Sequence, residues 1–184
     1  MIETFVLTKV LGWRLQGLFP DIPQSVIVVA PHTSYWDAII GKLFLKSVGI
    51  NHKLLSKKEL FFFPVNMVTH LLGAIPVRGV KGHNAILEVS SLFKKNKNLH
   101  IVICPEGGFA PTKRWDAGFY YMAFKANVPI VVAYMDYHKK EVGVKSVLTD
   151  LSDKDRVFGE LIRCYKGVTA RHPDHFVLPE LRGK

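Results

Sequence analysis

Residues 25–37 read SVIVVAPHTSYWD and combine a strand-like run with a polar segment. The first six residues, SVIVVA, are apolar and rich in valine, which is typical of a strand buried on both faces of a parallel sheet. The next seven, PHTSYWD, include the ionisable residues His32 and Asp37. In open α/β sheets, functional groups gather where strands end and loops begin. This junction is therefore a candidate functional site.

The rest of the chain alternates between strand-like runs and helical patterns. We predict further strands near residues 53–56, 74–77, 99–104, 129–135 and 142–148, the last as a weaker edge strand. We predict helices over residues 2–19, 36–48, 58–72, 84–96, 115–127 and about 152–166. This alternation predicts an α/β fold, with a mostly parallel central sheet flanked by helices. We expect one domain over residues 1–184, with a motif-bearing core at 25–148 and a C-terminal helix and tail at 149–184.

Two segments suggest contact with a membrane surface. The apolar side of the predicted N-terminal helix, within residues 1–20, is wider than one stripe, which suits an amphipathic helix in a membrane interface or a core helix. Residues 60–77 contain no Asp, Glu, Lys or Arg, but Pro64 and Pro76 favour a buried or interfacial helix and a strand over a spanning helix. The three phenylalanines 61–63 suit an interfacial surface and a core cluster about equally.

Composition excludes several classes of protein. With 48% hydrophobic and 22% charged residues in 184, the chain is neither disordered nor fibrous. The formal net charge of +10 favours partners that carry phosphates, such as nucleic acid, an anionic lipid surface or a phosphorylated small molecule. Only Cys104 and Cys164 are present, so no disulfide scaffold is expected and a reducing, cytoplasm-facing location is favoured. We interpret Cys104 as a buried structural thiol.

A second polar junction follows residues 99–104 (LHIVIC), where the chain continues as Pro105, Glu106 and Gly107. At the first junction, His32 on the loop and Asp37 in the first helical turn can meet. The carboxylate would accept a hydrogen bond from one ring nitrogen of the histidine. The other nitrogen then remains free to act as a base that takes the proton of a hydroxyl. Direct attack by a substrate hydroxyl is the simpler chemistry, because no serine or cysteine stands in a nucleophile elbow. The two junctions reinforce each other only if their strands are neighbours.

These motifs resemble those of the glycerolipid acyltransferase family typified by lysophosphatidic acid acyltransferase. Its H-x4-D motif is matched by His32 to Asp37 and its P-E-G motif by residues 105–107. A G-x-I-P-V motif is matched by residues 73–77, and a strand that opens with V-P-I by residues 128–132. The order and spacing agree over about residues 25–142. Several stretches look like a compact bacterial branch of putative acyltransferases.

The resemblance implies transfer of a fatty acyl group from an acyl thioester, on coenzyme A or acyl carrier protein, to the hydroxyl of a lysophospholipid or similar acceptor in membrane lipid synthesis. It implies that His32 is the general base and that Asp37 orients it. The implied substrate-binding residues are Arg78, Pro105, Glu106 and Gly107. No metal and no cofactor besides the acyl-CoA or acyl-ACP co-substrate is expected. The implied location is the cytoplasmic face of the inner membrane, with peripheral or monotopic attachment.

Departures from the family pattern leave alternatives open. Arg78 and Gly79 stand where the family has Asp-Arg, and Gly108 and Phe109 follow P-E-G in place of Thr-Arg. An acceptor without a phosphate, such as a hydroxylated aminolipid, is one alternative. A catalytically inert relative that binds anionic lipid or acyl carrier protein is another, and a thioester hydrolase a third. Nucleic-acid binding rests on charge alone and is not expected. The RHPDH segment, residues 171–175, is interpreted as part of a loose tail and not as a metal site.

Overall fold

The computed structural model of the protein describes residues 2–57, 67, 69–70, 73–77 and 83–180. The predicted helix over residues 58–72 falls mostly outside the described residues. Arg78 and the three phenylalanines 61–63 also lie outside them.

The described strands form one seven-stranded sheet. They are β1 (Arg14–Gln16), β2 (Gln24–Ala30), β3 (His52–Lys57), β4 (Ala74–Val77), β5 (Leu99–Ile103), β6 (Ile130–Asp136) and β7 (Glu141–Leu148). Their order across the sheet is β1-β7-β6-β2-β5-β3-β4. Only the β6–β7 pair is antiparallel. The prediction of an α/β fold with a mostly parallel sheet is confirmed.

Helices cover both faces of this sheet. They are α1 (Ile2–Phe5), which continues as a π-helical turn over Val6–Val10, then α2 (Tyr35–Ser47), α3 (His83–Lys95), α4 (Gly118–Ala126) and α5 (Lys154–Tyr165). The N-terminal turn and α2 share one apolar core with the sheet, and α3, α4 and α5 share the other. Within the described part of the chain, no helix has the length and apolar character needed to cross a membrane.

Strand β2 is the central strand of the sheet. Its side chains from Ser25 to Ala30 are all buried, as its valine-rich sequence predicts. Val26 and Val28 enter the core beneath α3, α4 and α5, whereas Ile27 and Val29 enter the core beneath α2. Parallel pairing with β5 on one side and β6 on the other places the carboxyl ends of three strands at one edge of the sheet.

The N-terminal helix is shorter than predicted. Its last turn ends near Gly12, whose φ of 71° favours glycine and stops the helix before residue 13. Residues 14–16 then form β1 at the edge of the sheet, so the prediction of a helix over 2–19 is wrong beyond residue 10. The prediction of a strand over residues 142–148 is confirmed, but β1 pairs with its first two residues, so β7 is not the edge strand there. Gly143 lets β1 approach β7, because a Cβ there would lie 1.5 Å from the Gln16 carbonyl oxygen.

The described part of the C-terminal segment, residues 171–180, is not the loose tail that its sequence indicated. The Thr169 carbonyl accepts a hydrogen bond of 2.9 Å from the Tyr137 backbone N–H. The Trp115 indole N–H donates a bond of 3.1 Å to the Val177 carbonyl. Phe176 and Leu178 pack against the larger core. Phe176 and Leu178, together with these hydrogen bonds, therefore hold this segment against the domain.

Candidate active site

The two polar junctions meet because their strands are neighbours. β2 and β5 pair in parallel, with Val28 beside Ile103, so the loops that follow them leave the same edge of the sheet. The Glu106 Oε1 atom accepts a hydrogen bond of 2.9 Å from the His32 backbone N–H. The polar residues after β2 and those after β5 therefore belong to one site.

Asp37 lies in the first turn of α2, as its sequence position predicts. Its Oδ2 atom accepts hydrogen bonds from the backbone N–H groups of Thr33 at 2.7 Å and Ser34 at 2.8 Å. Ser34 is the N-cap, and its side chain accepts a bond from the Trp36 backbone N–H at 3.3 Å. Such a cap satisfies free amide groups at the helix start and also fixes the carboxylate. Asp37 is 2% exposed, so its position is set by the fold.

The His32 ring lies against this carboxylate. Its Nδ1 atom is 3.5 Å from Asp37 Oδ2, and 19% of its side chain is exposed. The Phe109 ring lies 4.8 Å from the imidazole, between centroids, and also contacts Tyr35 at 4.8 Å. Cys104 lines the same cavity as His32 and is close enough to affect the pKa of the imidazole. Cys104 is therefore partly exposed and beside the candidate base, which corrects its interpretation as a buried structural thiol.

The environments of His32 and Asp37 shift the pKa values of both side chains. Burial lowers the pKa of His32, but the Cys104 sulfur and the Asp37 carboxylate outweigh burial and raise this pKa well above its usual 6.5. Burial raises the pKa of Asp37, but hydrogen bonds from His32 and Tyr137 outweigh it and lower this pKa. The pair therefore favours a charged carboxylate beside an imidazole that holds its proton tightly.

Tyr137 completes the site, although the sequence analysis did not single it out. It follows β6 directly, and its hydroxyl donates a hydrogen bond of 2.5 Å to Asp37 Oδ1. Burial and the bond to Asp37 raise the pKa of this hydroxyl, which keeps it a donor. A signal was present in the sequence: Tyr137 is a polar residue after a third predicted strand. Its use required knowing that β6 lies beside β2.

The three P-E-G residues, 105–107, make different contacts. Glu106 touches the His32 backbone, and its Oε2 atom is buried without a hydrogen-bond partner among the described residues. Burial raises the pKa of Glu106 to about 7, although the His32 amide opposes the shift. Gly107 lines a cavity beside His32, and the Pro105 carbonyl accepts a bond of 2.7 Å from the Asp116 amide. Their roles in binding substrate stay predictions.

A cavity of about 360 Å³ extends from His32 and Asp37 between α2 and the sheet. The polar side chains in its lining include those of His32, Asp37, Lys42, His52, Ser56 and Thr69, and Gly107 and Gly108 also line it. Its walls are mainly apolar and include Ile27, Val29, Phe44, Leu45, Leu54 and Val102. Ligand sites in proteins commonly combine such apolar walls with a few convergent polar groups. The arrangement can hold an apolar chain with its reactive end beside an imidazole.

A metal centre has no support in the described residues. None of their His, Cys, Asp and Glu side chains form a group that could hold a metal ion. His172 and His175 contact each other through their rings, 5.7 Å between centroids. The His172 backbone N–H donates a bond of 3.2 Å to Thr33 Oγ1, so this segment touches the His32 loop.

Comparison with known proteins gives one match. A family model described as Acyltransferase matches residues 19–136, which is more than half of the chain and includes His32, Asp37 and Glu106. No curated protein and no solved structure matches the chain.

Proposed function

The chain belongs to the Acyltransferase family, and from this premise we propose that it transfers a fatty acyl group from an acyl thioester to the hydroxyl of a lysophospholipid or similar lipid. The donor is acyl-CoA or acyl-ACP. The observation that carries the proposal is the mainly apolar cavity that His32 and Asp37 help to line. An acyl chain fits its walls, and the thioester carbonyl then lies beside the imidazole.

In the proposed reaction, neutral His32 accepts the proton of the acceptor hydroxyl while the hydroxyl oxygen attacks the thioester carbonyl. The tetrahedral intermediate collapses, its carbon–sulfur bond breaks, and the protonated imidazole returns the proton to the thiolate that leaves. Asp37 holds the ring and stabilises its charged form. An ester and a free thiol are the products, so no oxidant or further reactant is required.

The acceptor is proposed to enter beside residues 105–107, next to the His32 loop. Gly107 lines the cavity, and Glu106 holds the His32 backbone. Arg78, which lies outside the described residues, is proposed to bind an acceptor phosphate. Arg78→Ala should raise KM for a phosphate-bearing acceptor and leave KM for a hydroxylated aminolipid unchanged. An equal effect on both acceptors would contradict a phosphate-binding role.

The direct test of the reaction uses acyl-CoA and acyl-ACP of several lengths with a panel of lysophospholipids and hydroxylated aminolipids. Mass spectrometry detects the acylated product, and a thiol reagent follows the released carrier. We expect transfer by the wild-type protein, none by His32→Ala, and full transfer by His138→Ala, since His138 is an exposed turn residue. Release of free fatty acid alone would identify a hydrolase. Binding of donor without turnover would identify an inert relative.

We also propose that the N-terminal region lies on a membrane surface. Ile2, Phe5, Val10 and Leu18 are 60% to 95% exposed. Lys9 and Arg14 are exposed in the same stretch of sequence, and Arg14 forms an ion pair with Glu141. Exposed apolar side chains beside cations suit the interface of an anionic bilayer. This location is compatible with peripheral attachment at the cytoplasmic face of the inner membrane.

Vesicle flotation tests the membrane proposal. We expect binding to vesicles with anionic lipid and weaker binding to neutral ones. Phe5→Ser combined with Leu18→Ser should weaken binding to anionic vesicles. Phe124→Ser serves as the matched control, because Phe124 is 57% exposed on α4, on the opposite face of the sheet. Equal binding by the double variant and the control would contradict the proposed surface.

A further inference from the structure

The Asp37 carboxylate is held from two directions. The Thr33 and Ser34 amides donate to Oδ2, the oxygen that faces His32. The Tyr137 hydroxyl donates to Oδ1 at 2.5 Å, from a position 100 residues away in the chain. The helix cap alone therefore fixes one oxygen, and the hydroxyl after β6 fixes the other.

Tyr137 is itself held in place. The Trp13 ring contacts it edge to face, 5.0 Å between centroids. Its backbone N–H donates to the Thr169 carbonyl at 2.9 Å. The Arg171 guanidinium lies 5.9 Å from its ring centroid and 5.5 Å from that of Trp36. A side chain with these contacts loses little further freedom when it donates its hydrogen bond.

Arg171 adds a positive charge behind the hydroxyl. Its guanidinium lies 5.9 Å from the centroid of the Tyr137 ring, and its charge opposes the rise in the pKa of the Tyr137 hydroxyl. Arg171 makes no salt bridge with a carboxylate of the described residues. Arg171 therefore lies beside the Tyr137 ring, and the Tyr137 hydroxyl donates to Asp37. A positive charge near a hydroxyl strengthens the hydrogen bond that the hydroxyl donates to a carboxylate.

We propose that Tyr137 and Arg171 are positioning residues for the reacting imidazole, and that they act on His32 through the Asp37 carboxylate. Their catalytic consequence rests on the proposed function, whereas their effect on the imidazole does not require substrate. They keep Oδ2 directed at the ring and reduce the negative charge that the ring experiences. Groups that orient a histidine from behind its carboxylate affect its basicity as well as its geometry.

The sign of the effect follows from the charges around His32. The titratable groups that face the ring are Asp37 from α2, and Cys104 and Glu106 from the loop after β5. The substitutions Tyr137→Phe and Arg171→Gln leave these three side chains in place. Without the Tyr137 hydroxyl or the Arg171 charge, Asp37 presents more negative charge to the ring, so the protonated imidazole is stabilised and its pKa rises.

Titration of His32 by nuclear magnetic resonance tests the inference without substrate. The histidine ring signals of the full chain are followed against pH, and His32→Asn identifies the His32 signal. We expect the pKa to rise by about 0.5–1 unit in Tyr137→Phe and by less in Arg171→Gln. Tyr121→Phe and Arg163→Gln are matched controls that should leave it unchanged, since both side chains lie on helices α4 and α5 away from the site.

Kinetics supply the second readout. We expect kcat/KM of Tyr137→Phe to fall roughly 10- to 100-fold with little change in KM, and its acid limb to move to higher pH. An unchanged His32 pKa in both variants overturns the inference, whatever the loss of rate. If the wild-type protein transfers no acyl group while the titration shifts as expected, the proposed function fails and the positioning role stands. Arg171→Gln keeps the test available if Tyr137→Phe does not fold.

Discussion

Glu106 and His32 are 74 residues apart in sequence, yet the Glu106 carboxyl accepts a 2.9 Å hydrogen bond from the His32 backbone N–H. This bond joins the loop after β2 to the loop after β5. Asp37 holds the same loop through the Thr33 and Ser34 amides. The backbone that presents the imidazole is therefore fixed from two sides, as expected for a group that must meet a reacting atom in one orientation.

Removal of the Asp37 charge should abolish most activity. Asp37→Asn places an amide where Thr33 and Ser34 donate, and it leaves the imidazolium without its partner. We expect kcat to fall about 10³-fold or more, and stability to fall by about 1–2 kcal/mol. Asp153→Ala is the control, because Asp153 caps α5 through the Asp155 and Arg156 amides and an alanine cannot accept these hydrogen bonds. It should cost similar stability in urea unfolding and no activity; equal loss of rate in both variants would contradict the role of Asp37.

The pH dependence of transfer should report the pKa of His32. A general base acts when neutral, so activity rises as pH rises through this pKa, which lies well above 6.5. We expect the acid limb of kcat/KM above pH 6.5. Cys104→Ala removes one of the groups that raise the pKa and should move the limb to lower pH, whereas Cys164→Ala should not. An acid limb at or below 6.5 in the wild-type protein would contradict the assignment.

Gly41 should control the length of acyl chain that the protein accepts. It lines the cavity from α2, and a Cβ there would meet nothing within 4 Å. Gly41→Leu fills part of this space, so we expect the preferred donor to shorten by about four carbons. Gly159→Leu is a matched control, since Gly159 lies inside α5 with equal free space and away from the cavity. Competition among acyl donors of different length measures the preference, and the same preference in both variants would rule out the cavity as the acyl site.

Glu106 should make stability depend on pH. Its pKa is about 7 in the folded protein and its ordinary value is 4.5, so the folded state binds the proton more tightly. Stability from this group is complete below about pH 4.5 and is lost as pH rises through about 7. Relative to wild type, Glu106→Gln should therefore gain up to about 3 kcal/mol between pH 4.5 and 8. Urea unfolding at both pH values measures this, and exposed Glu88→Gln should show no such trend.

Much of the fold could be predicted from local patterns. The valine-rich run of β2 and the apolar run of β5 identify buried strands, and the helices α2, α3 and α5 begin and end within two residues of their predicted limits. The predicted N-terminal helix is too long for a local reason. The helical spacing of apolar residues continues past Gly12, but the helix itself ends before Gly12. The position of β7 inside the sheet could not be predicted, because it depends on pairing with β1. The three residues of β1 are all exposed and show no strand pattern of their own.

The sequence by itself determined the alternating fold, the family and the positions of His32, Asp37 and Glu106, because those depend on residue order and on spacing along the chain. The tertiary structure decided which junctions meet and what holds them. Tyr137 reaches Asp37 only because β6 lies beside β2, and Arg171 reaches Tyr137 only because the C-terminal segment packs back onto the domain. Contacts between residues a hundred positions apart depend on sheet order and packing, which local periodicity does not encode.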